Sequence, residues 1–192
     1  WAGKRVFLTL GAAGHSAEVY VDGQKLSEHH CGYTAFKTEL TGALTPGADA
    51  LLVIRVDSRE QQDIPPFGYV IDYMTYGGLY REAWLDVYDS AFVEDVCVRP
   101  EIPAGAGLVS KRDNARKIAA VRFEGRVETI VTLRGEIDSE DCVLRQTVTR
   151  CGEDRPLVTA QAALSSLALT AGEGDRRTCR RALRVPDAAL WD

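Results

Sequence analysis

Asp72-Tyr73-Met74-Thr75-Tyr76-Gly77-Gly78-Leu79-Tyr80-Arg81-Glu82 runs without a break into Ala83-Trp84-Leu85-Asp86-Val87-Tyr88. The first part holds a carboxylate, three tyrosines, a Gly-Gly pair and an Arg-Glu pair. It shows no alternation, so it reads as a folded polar and aromatic loop. The second part reads as a strand. A loop of this kind feeding a strand belongs at the rim of a β-sandwich, where functional side chains concentrate.

Outward from that loop the chain is strand after strand. Residues 5–10 set Val6, Leu8 and Leu10 against Arg5, Phe7 and Thr9. Residues 17–21 and 24–26 flank Asp22-Gly23, the dipeptide that supplies the positive φ angles of a tight hairpin turn. A further strand is predicted at 35–40. After the Thr45-Pro46-Gly47 turn, residues 50–56 place Leu52, Ile54 and Val56 on one face and Leu51 and Val53 on the other. Apolar residues on both faces predict an interior strand. Residues 58–78 form a long irregular stretch with Pro65-Pro66, a length uncommon for a plain connection.

A second series begins after Asp89-Ser90. Strands are predicted at 92–98, 125–133, 142–150, 157–163 and 178–185, with turns at Gly135-Glu136, Gly152-Glu153 and Gly172-Glu173-Gly174. The charged segment 110–117 reads as a hairpin tip. Strands and turns at this rhythm over about a hundred residues fit a small immunoglobulin-like sandwich. The expectation is an all-β chain of two β-sandwiches, residues 1–89 and 91–192.

Composition narrows the function. The chain has 192 residues, 45% hydrophobic and 27% charged, with a formal net charge of −5. Short basic pairs such as Arg176-Arg177 are balanced by Glu173 and Asp175. Nucleic acid and anionic membrane surfaces are therefore not expected partners. No apolar run approaches the roughly 20 residues of a membrane span. Five cysteines are an odd count without a Cys-x-x-Cys pair, which predicts reduced, mostly buried thiols in a cytoplasmic protein. His29-His30-Cys31 has the residue types of a metal site, but strand neighbours point to opposite faces, so no metal or other cofactor is expected there. Motifs of serine hydrolases, phosphate-binding loops and zinc proteases are absent from the sequence. No acid and base pair for glycoside cleavage can be picked out by spacing, so no catalytic residue is assigned.

The order of several motifs resembles glycoside hydrolase family 2, which contains β-galactosidases, β-glucuronidases and β-mannosidases. Lys4-Arg5-Val6-Phe7-Leu8, then Ala17-Glu18-Val19-Tyr20-Val21-Asp22-Gly23, is similar to that family's strand and V-Y-V-N-G hairpin. Gly32-Tyr33-Thr34-Ala35-Phe36 resembles its G-Y-x-x-F turn, and Leu52-Val53-Ile54-Arg55-Val56-Asp57 its next apolar strand. Asp72 to Glu82 resembles the D-x-x-x-Y-G-G-[IL]-Y-R-[DE] run that closes its first domain. Val93 to Val98 resembles the entry to its second domain, and Val185-Pro186 to Leu190-Trp191 the exit.

The resemblance implies a jelly-roll, galactose-binding-like sugar-binding domain, lacking its first strands, followed by an immunoglobulin-like domain. It implies that both catalytic glutamates lie in a barrel domain outside this chain. The expected protein is thus a non-catalytic fragment of a hydrolase that cleaves β-glycosides, β-galactosides foremost, with retention. The resemblance also implies that Asp72 contacts the non-reducing-end sugar, and that Arg81 and Glu82 are structural. Carbohydrate is the expected partner, and open sheet edges predict a homo-oligomer. The alternative is an independent carbohydrate-binding module, which would need an exposed aromatic platform on a sheet face.

Overall fold

The computed structural model describes residues 1–65, 73–101, 122–137 and 140–189. The chain divides into two compact units, Trp1–Ser90 and Ala91–Asp192. Among the described residues there are twelve strands, two single-turn 3-10 segments and no α-helix. The fold is all-β, built of packed sheets.

In the first unit the strands are β1 (Arg5–Leu10), β2 (Ser16–Val21), β3 (Gln24–His29), β4 (Phe36–Glu39), β5 (Leu52–Asp57) and β6 (Ala83–Tyr88). They form two antiparallel sheets of order β4-β1-β6 and β3-β2-β5. Alternation explains the core: Val6, Leu8 and Leu10 of β1 meet Val19 and Val21 of β2 and Leu40, all buried. The β2–β3 hairpin turns at Asp22 and Gly23, both with positive φ (48° and 83°), as the dipeptide predicts. Asp22 is anchored further, accepting the Leu51 amide on Oδ1 at 2.8 Å.

One flank of this sandwich is closed. Ser27 of β3 meets Thr38 of β4 hydroxyl to hydroxyl, and the His29 ring stacks on Phe36 with centroids 4.4 Å apart. The β5 and β6 flank is different. Leu85 and Val87 pair with Leu8 and Val6 and so share their inward face, yet Leu85 is 43% exposed. A groove of about 590 Å³ is lined there by Leu52, Leu85, Val6 and Val21. The expectation of an interior strand at 50–56 is corrected: among the described residues β5 pairs only with β2 and forms a sheet edge. Its two apolar faces report low polarity and not a second neighbour, and Leu51, Leu52 and Val53 are exposed.

In the second unit β7 (Phe92–Glu101), β8 (Arg122–Arg134), β11 (Thr170–Ala171) and β12 (Arg176–Ala189) form a sheet of order β11-β12-β8-β7. The hairpin of β9 (Val143–Thr149) and β10 (Pro156–Ala163) forms the other layer. Val131, Leu133, Cys179 and Leu164 make the buried core, with Leu144, Leu167 and Leu169 against it. Pro186 is tolerated inside β12 because the ladder is irregular between Val185 and Ala188. Val96 and Val98 of β7 pair with Val131 and Thr129, placing them on the core face, but Val98 is 57% exposed.

A β-bulge between Val93 and Asp95 leaves Glu94 as the extra residue of β7. Arg134 and Arg176 stand directly opposite each other on β8 and β12, a like-charge pair that would repel. Glu94 neutralises it. It accepts from Arg176 Nε and Nη2 at 2.6 and 3.0 Å and from Arg134 Nη1 at 3.3 Å, while Asp175 accepts from Arg134 Nε at 3.0 Å. These guanidinium groups, Arg176 first, hold the Glu94 carboxyl below its usual range.

The cysteine expectation is corrected in part. All five thiols are free, but only Cys179 is buried; Cys142 and Cys151 lie exposed beside the ends of β9. The segment expected as a hairpin tip, 110–117, lies outside the described residues, as does Leu190-Trp191.

Candidate functional site

The described residues between β5 and β6 fold back on two turns of the first unit, those after β1 and after β3. Their docking begins with a backbone exchange. Gly14 donates to Gly78 O at 2.9 Å and Gly78 donates back to Gly14 O at 3.1 Å. Ser58 is the hub beside them: its hydroxyl donates to Gly14 O at 2.8 Å and accepts the Gly78 amide at 3.0 Å. His15, which follows a cis Gly14–His15 peptide bond, donates its amide to Asp57 O at 2.8 Å.

Glycine is required at these contacts for different reasons. A Cβ on Gly14 would lie 2.6 Å from Tyr76 O, and one on Gly77 would lie 2.5 Å from Ser58 Oγ. Both are close approaches. Gly78 has open space around it but sits at φ 77°, the left-handed region that side chains disfavour.

Tyrosines fasten the far side. The Tyr80 hydroxyl donates to Gly32 O, and Arg81 Nη1 donates to Tyr33 O at 3.0 Å with its guanidinium 5.5 Å from the Tyr80 ring centroid. Tyr33 and Tyr73 meet hydroxyl to hydroxyl at 3.1 Å, which pushes the Tyr33 pKa up to about 12, the Tyr73 hydrogen bond being the main cause. Thr75 donates to Glu60 at 2.9 Å. The result is a cavity of about 240 Å³ walled by His15, Tyr33, Tyr73, Tyr76, Tyr80 and Arg81.

Of the residues singled out in the sequence, Asp72 lies outside the described residues. Tyr73, Tyr76 and Tyr80 come together as the sequence suggests. Arg81 is held by a backbone carbonyl of the 32–34 turn, and Glu82 offers its own carbonyl to the Gly11 amide at 2.8 Å. Gly32 was noted only as the start of the G-Y-x-x-F turn, and Gly14, His15 and Ser58 were not singled out. Their signal was slight: glycines just outside the ends of β1 and β3, and a serine just past β5.

Two other polar clusters are structural. His29 bonds Thr34 and His30 bonds Ser16, at 2.8 and 3.2 Å, so the two rings serve separate partners. Among the described residues no three His, Cys, Asp or Glu side chains are grouped to hold a metal. On the outer face of β2, Glu18 accepts from Lys25, Arg55 and Tyr20, and its pKa falls to about 2, Lys25 being the main cause. Asp57, Glu28, Asp86 and Glu94 are likewise held below the usual carboxylate range by their hydrogen-bond donors. A glycosidase acid needs the opposite shift, so these groups act as ion-pair partners and not proton donors.

No family model matches the chain. Known proteins do. It is 39% identical over 97 residues to a β-galactosidase of Thermoanaerobacter pseudethanolicus, covering 50% of this chain and 13% of that protein. It is 29% identical over 168 residues to a β-glucuronidase of Bacteroides fragilis, covering 85% of this chain and 22% of that protein. Its fold matches Bifidobacterium dentium β-glucuronidase, solved with coumarin-3-O-glucuronide, at a TM-score of 0.73 and 22% identity, over 100% of this chain and 32% of that one. The chain thus spans less than a third of the length of each. On these likenesses and on its motifs, the chain is similar to the β-galactosidases and β-glucuronidases of glycoside hydrolase family 2.

Proposed function

We propose that this chain is the non-catalytic, sugar-contacting part of a glycosidase that cleaves β-glycosides, β-galactosides foremost, with retention of configuration. The observation that carries the reading is the run of likeness to a β-glucuronidase across 85% of the chain, joined to the way the Tyr73–Glu82 run is clamped. Backbone bonds at Gly14 and Gly78, with the Tyr80 and Arg81 contacts, fix the loop from residue 73 onward. A carboxylate can accept two hydroxyls at once, which is the chemistry that orienting a sugar ring needs.

On this reading residues 1–89 are the jelly-roll sugar-binding domain and 91–192 the immunoglobulin-like domain. Asp72 takes the non-reducing-end sugar, and the two catalytic carboxyls belong to a further domain. The five free cysteines fit a reducing, cytoplasmic setting, and no helix among the described residues is long and apolar enough to cross a membrane. The exposed inward residues of β5 and β6 support self-association.

The test is hydrolysis of nitrophenyl β-galactoside and β-glucuronide by the 192-residue chain and by a longer polypeptide containing it. Turnover with a β-configured first product is expected of the longer protein alone. Turnover by the short chain, abolished by a change within it, would overturn the reading, as would an inverted product.

A further inference from the structure

The run from Tyr73 to Glu82 is held unequally along its length. Its second half carries the Gly78, Tyr80, Arg81 and Glu82 bonds to the frame of the first unit. Its first half has little. Thr75 bonds Glu60, which belongs to the same connection between β5 and β6. Among the described residues, the Tyr33 hydroxyl, 3.1 Å from that of Tyr73, is the hydrogen-bond partner that residues 73–76 find outside that connection.

Stability is a poor account of this hydroxyl pair. Tyr33 and Tyr73 are 37% and 57% exposed, so water competes for both hydroxyls and the net gain to the fold is small. What such a bond fixes is direction, because a hydroxyl at a set distance leaves Tyr73 few placements. Tyr33 is suited to that task because its own base is fastened. The Tyr80 hydroxyl holds the carbonyl of Gly32 just before it, a bond that does not depend on Arg81. Tyr33 also keeps its proton: the Tyr73 hydrogen bond pushes its pKa up to about 12, so the contact does not titrate near neutrality.

We propose that Tyr33 is a positioning residue for the sugar contact assigned to Asp72, acting through Tyr73, which follows Asp72 in the chain. The proposal deepens the glycosidase reading above and rests on it for the reaction. A misplacement of about 1 Å at a substrate-orienting group costs on the order of a hundredfold in rate, so a bond worth little to the fold matters to turnover.

The test is steady-state kinetics of the longer polypeptide on nitrophenyl β-galactoside and β-glucuronide, with Tyr33→Phe, Tyr73→Phe and Asp72→Asn made alone and in pairs. Tyr33→Phe keeps the ring and removes only the hydroxyl. It should lower kcat/KM about three- to tenfold, the worth of one neutral hydrogen bond, with Tm unchanged. Tyr73→Phe should match it, and the two together should lose no more than either alone, since both remove the same bond. Added to Asp72→Asn, Tyr33→Phe should cost less than about twofold. An equal loss in both Asp72 backgrounds, full kcat/KM in Tyr33→Phe, or a loss matched by a fall in Tm would each overturn the proposal. Absent turnover by the longer wild-type protein, or full kcat/KM in Asp72→Asn alone, marks failure of the reading beneath, and this proposal falls with it. The two failures are thus told apart by which variant reports them.

Discussion

Gly14 and Gly78 exchange both of their backbone hydrogen bonds, and through that pair the tyrosine loop is tied to the end of β1. The tie leaves the adjoining Gly77 pressed against Ser58, the residue that bonds both partners of the exchange.

Substitutions in the Gly-Gly pair should therefore separate space from dihedral angle. Gly77→Ala forces a methyl group to 2.5 Å from Ser58 Oγ and should destabilise the first unit by about 1–3 kcal/mol. A Cβ at Gly78 meets no atom, and asparagine tolerates the left-handed region, so Gly78→Asn should cost about 1 kcal/mol or less. Urea denaturation followed by tryptophan fluorescence gives the order; Gly78→Asn as the worse variant would contradict it.

Acid should weaken the outer face of β2. The folded-state pKa of Glu18 is lowered from 4.5 to about 2, chiefly by Lys25 and then by Arg55 and Tyr20. A lowered carboxylate pKa contributes stability above the unfolded value and loses it as pH falls through the folded one. The contribution should therefore fade between about pH 4.5 and pH 2. Melting curves of Glu18→Gln should be flatter than wild type across that window. Identical pH dependence in the two would refute the assignment.

In a longer polypeptide that hydrolyses glycosides, Asp72→Asn should lower kcat/KM about ten- to a hundredfold, the worth of hydrogen bonds to a charged group, while Tm is unchanged. Arg81→Ala should do the reverse, since it releases the Tyr33 carbonyl. A fall in Tm with intact kinetics for Asp72→Asn would show that this carboxylate only caps its own loop.

The open flank between β5 and β6 should drive association of the 192-residue chain. Leu85, Val87 and Leu52 face inward yet are more than a third exposed, next to two strand edges unpaired among the described residues. Light scattering should show a dimer or larger, and Leu85→Lys should shift it toward monomer. A wild-type monomer at the highest accessible concentration would rule this out.

Much of this was legible because period-2 alternation is a local property. The Val6, Leu8, Leu10 stripe, the Asp22-Gly23 hairpin and the run of turns in the second unit could be read directly. Strand neighbours could not. The Leu51 to Val56 stretch has the composition of an interior strand yet lies at an edge, because pairing depends on what else is present and not on the strand itself. The site was half legible: three tyrosines and a Gly-Gly pair announce a built loop. Its other wall, Gly14, His15, Gly32 and Ser58, comes from distant turns. Apart from Gly32 in its G-Y-x-x-F turn these residues carry no motif, and the pairing of β2 with β5 and the bonds among Gly14, Ser58 and Gly78 bring them together.

The bulge at Glu94 has a consequence for the second unit that its ion pairs alone do not express. Val93 pairs with Leu133 and Asp95 with Thr132, so the ladder on either side of Glu94 is continuous without it. A one-codon deletion would leave every strand in register and every core residue on its present face. It would also strip the carboxylate from between Arg134 and Arg176, which stand opposite each other. The residue is dispensable to the geometry and needed by the charges. A shortened chain rescued by Arg176→Gln would demonstrate that division within a single position.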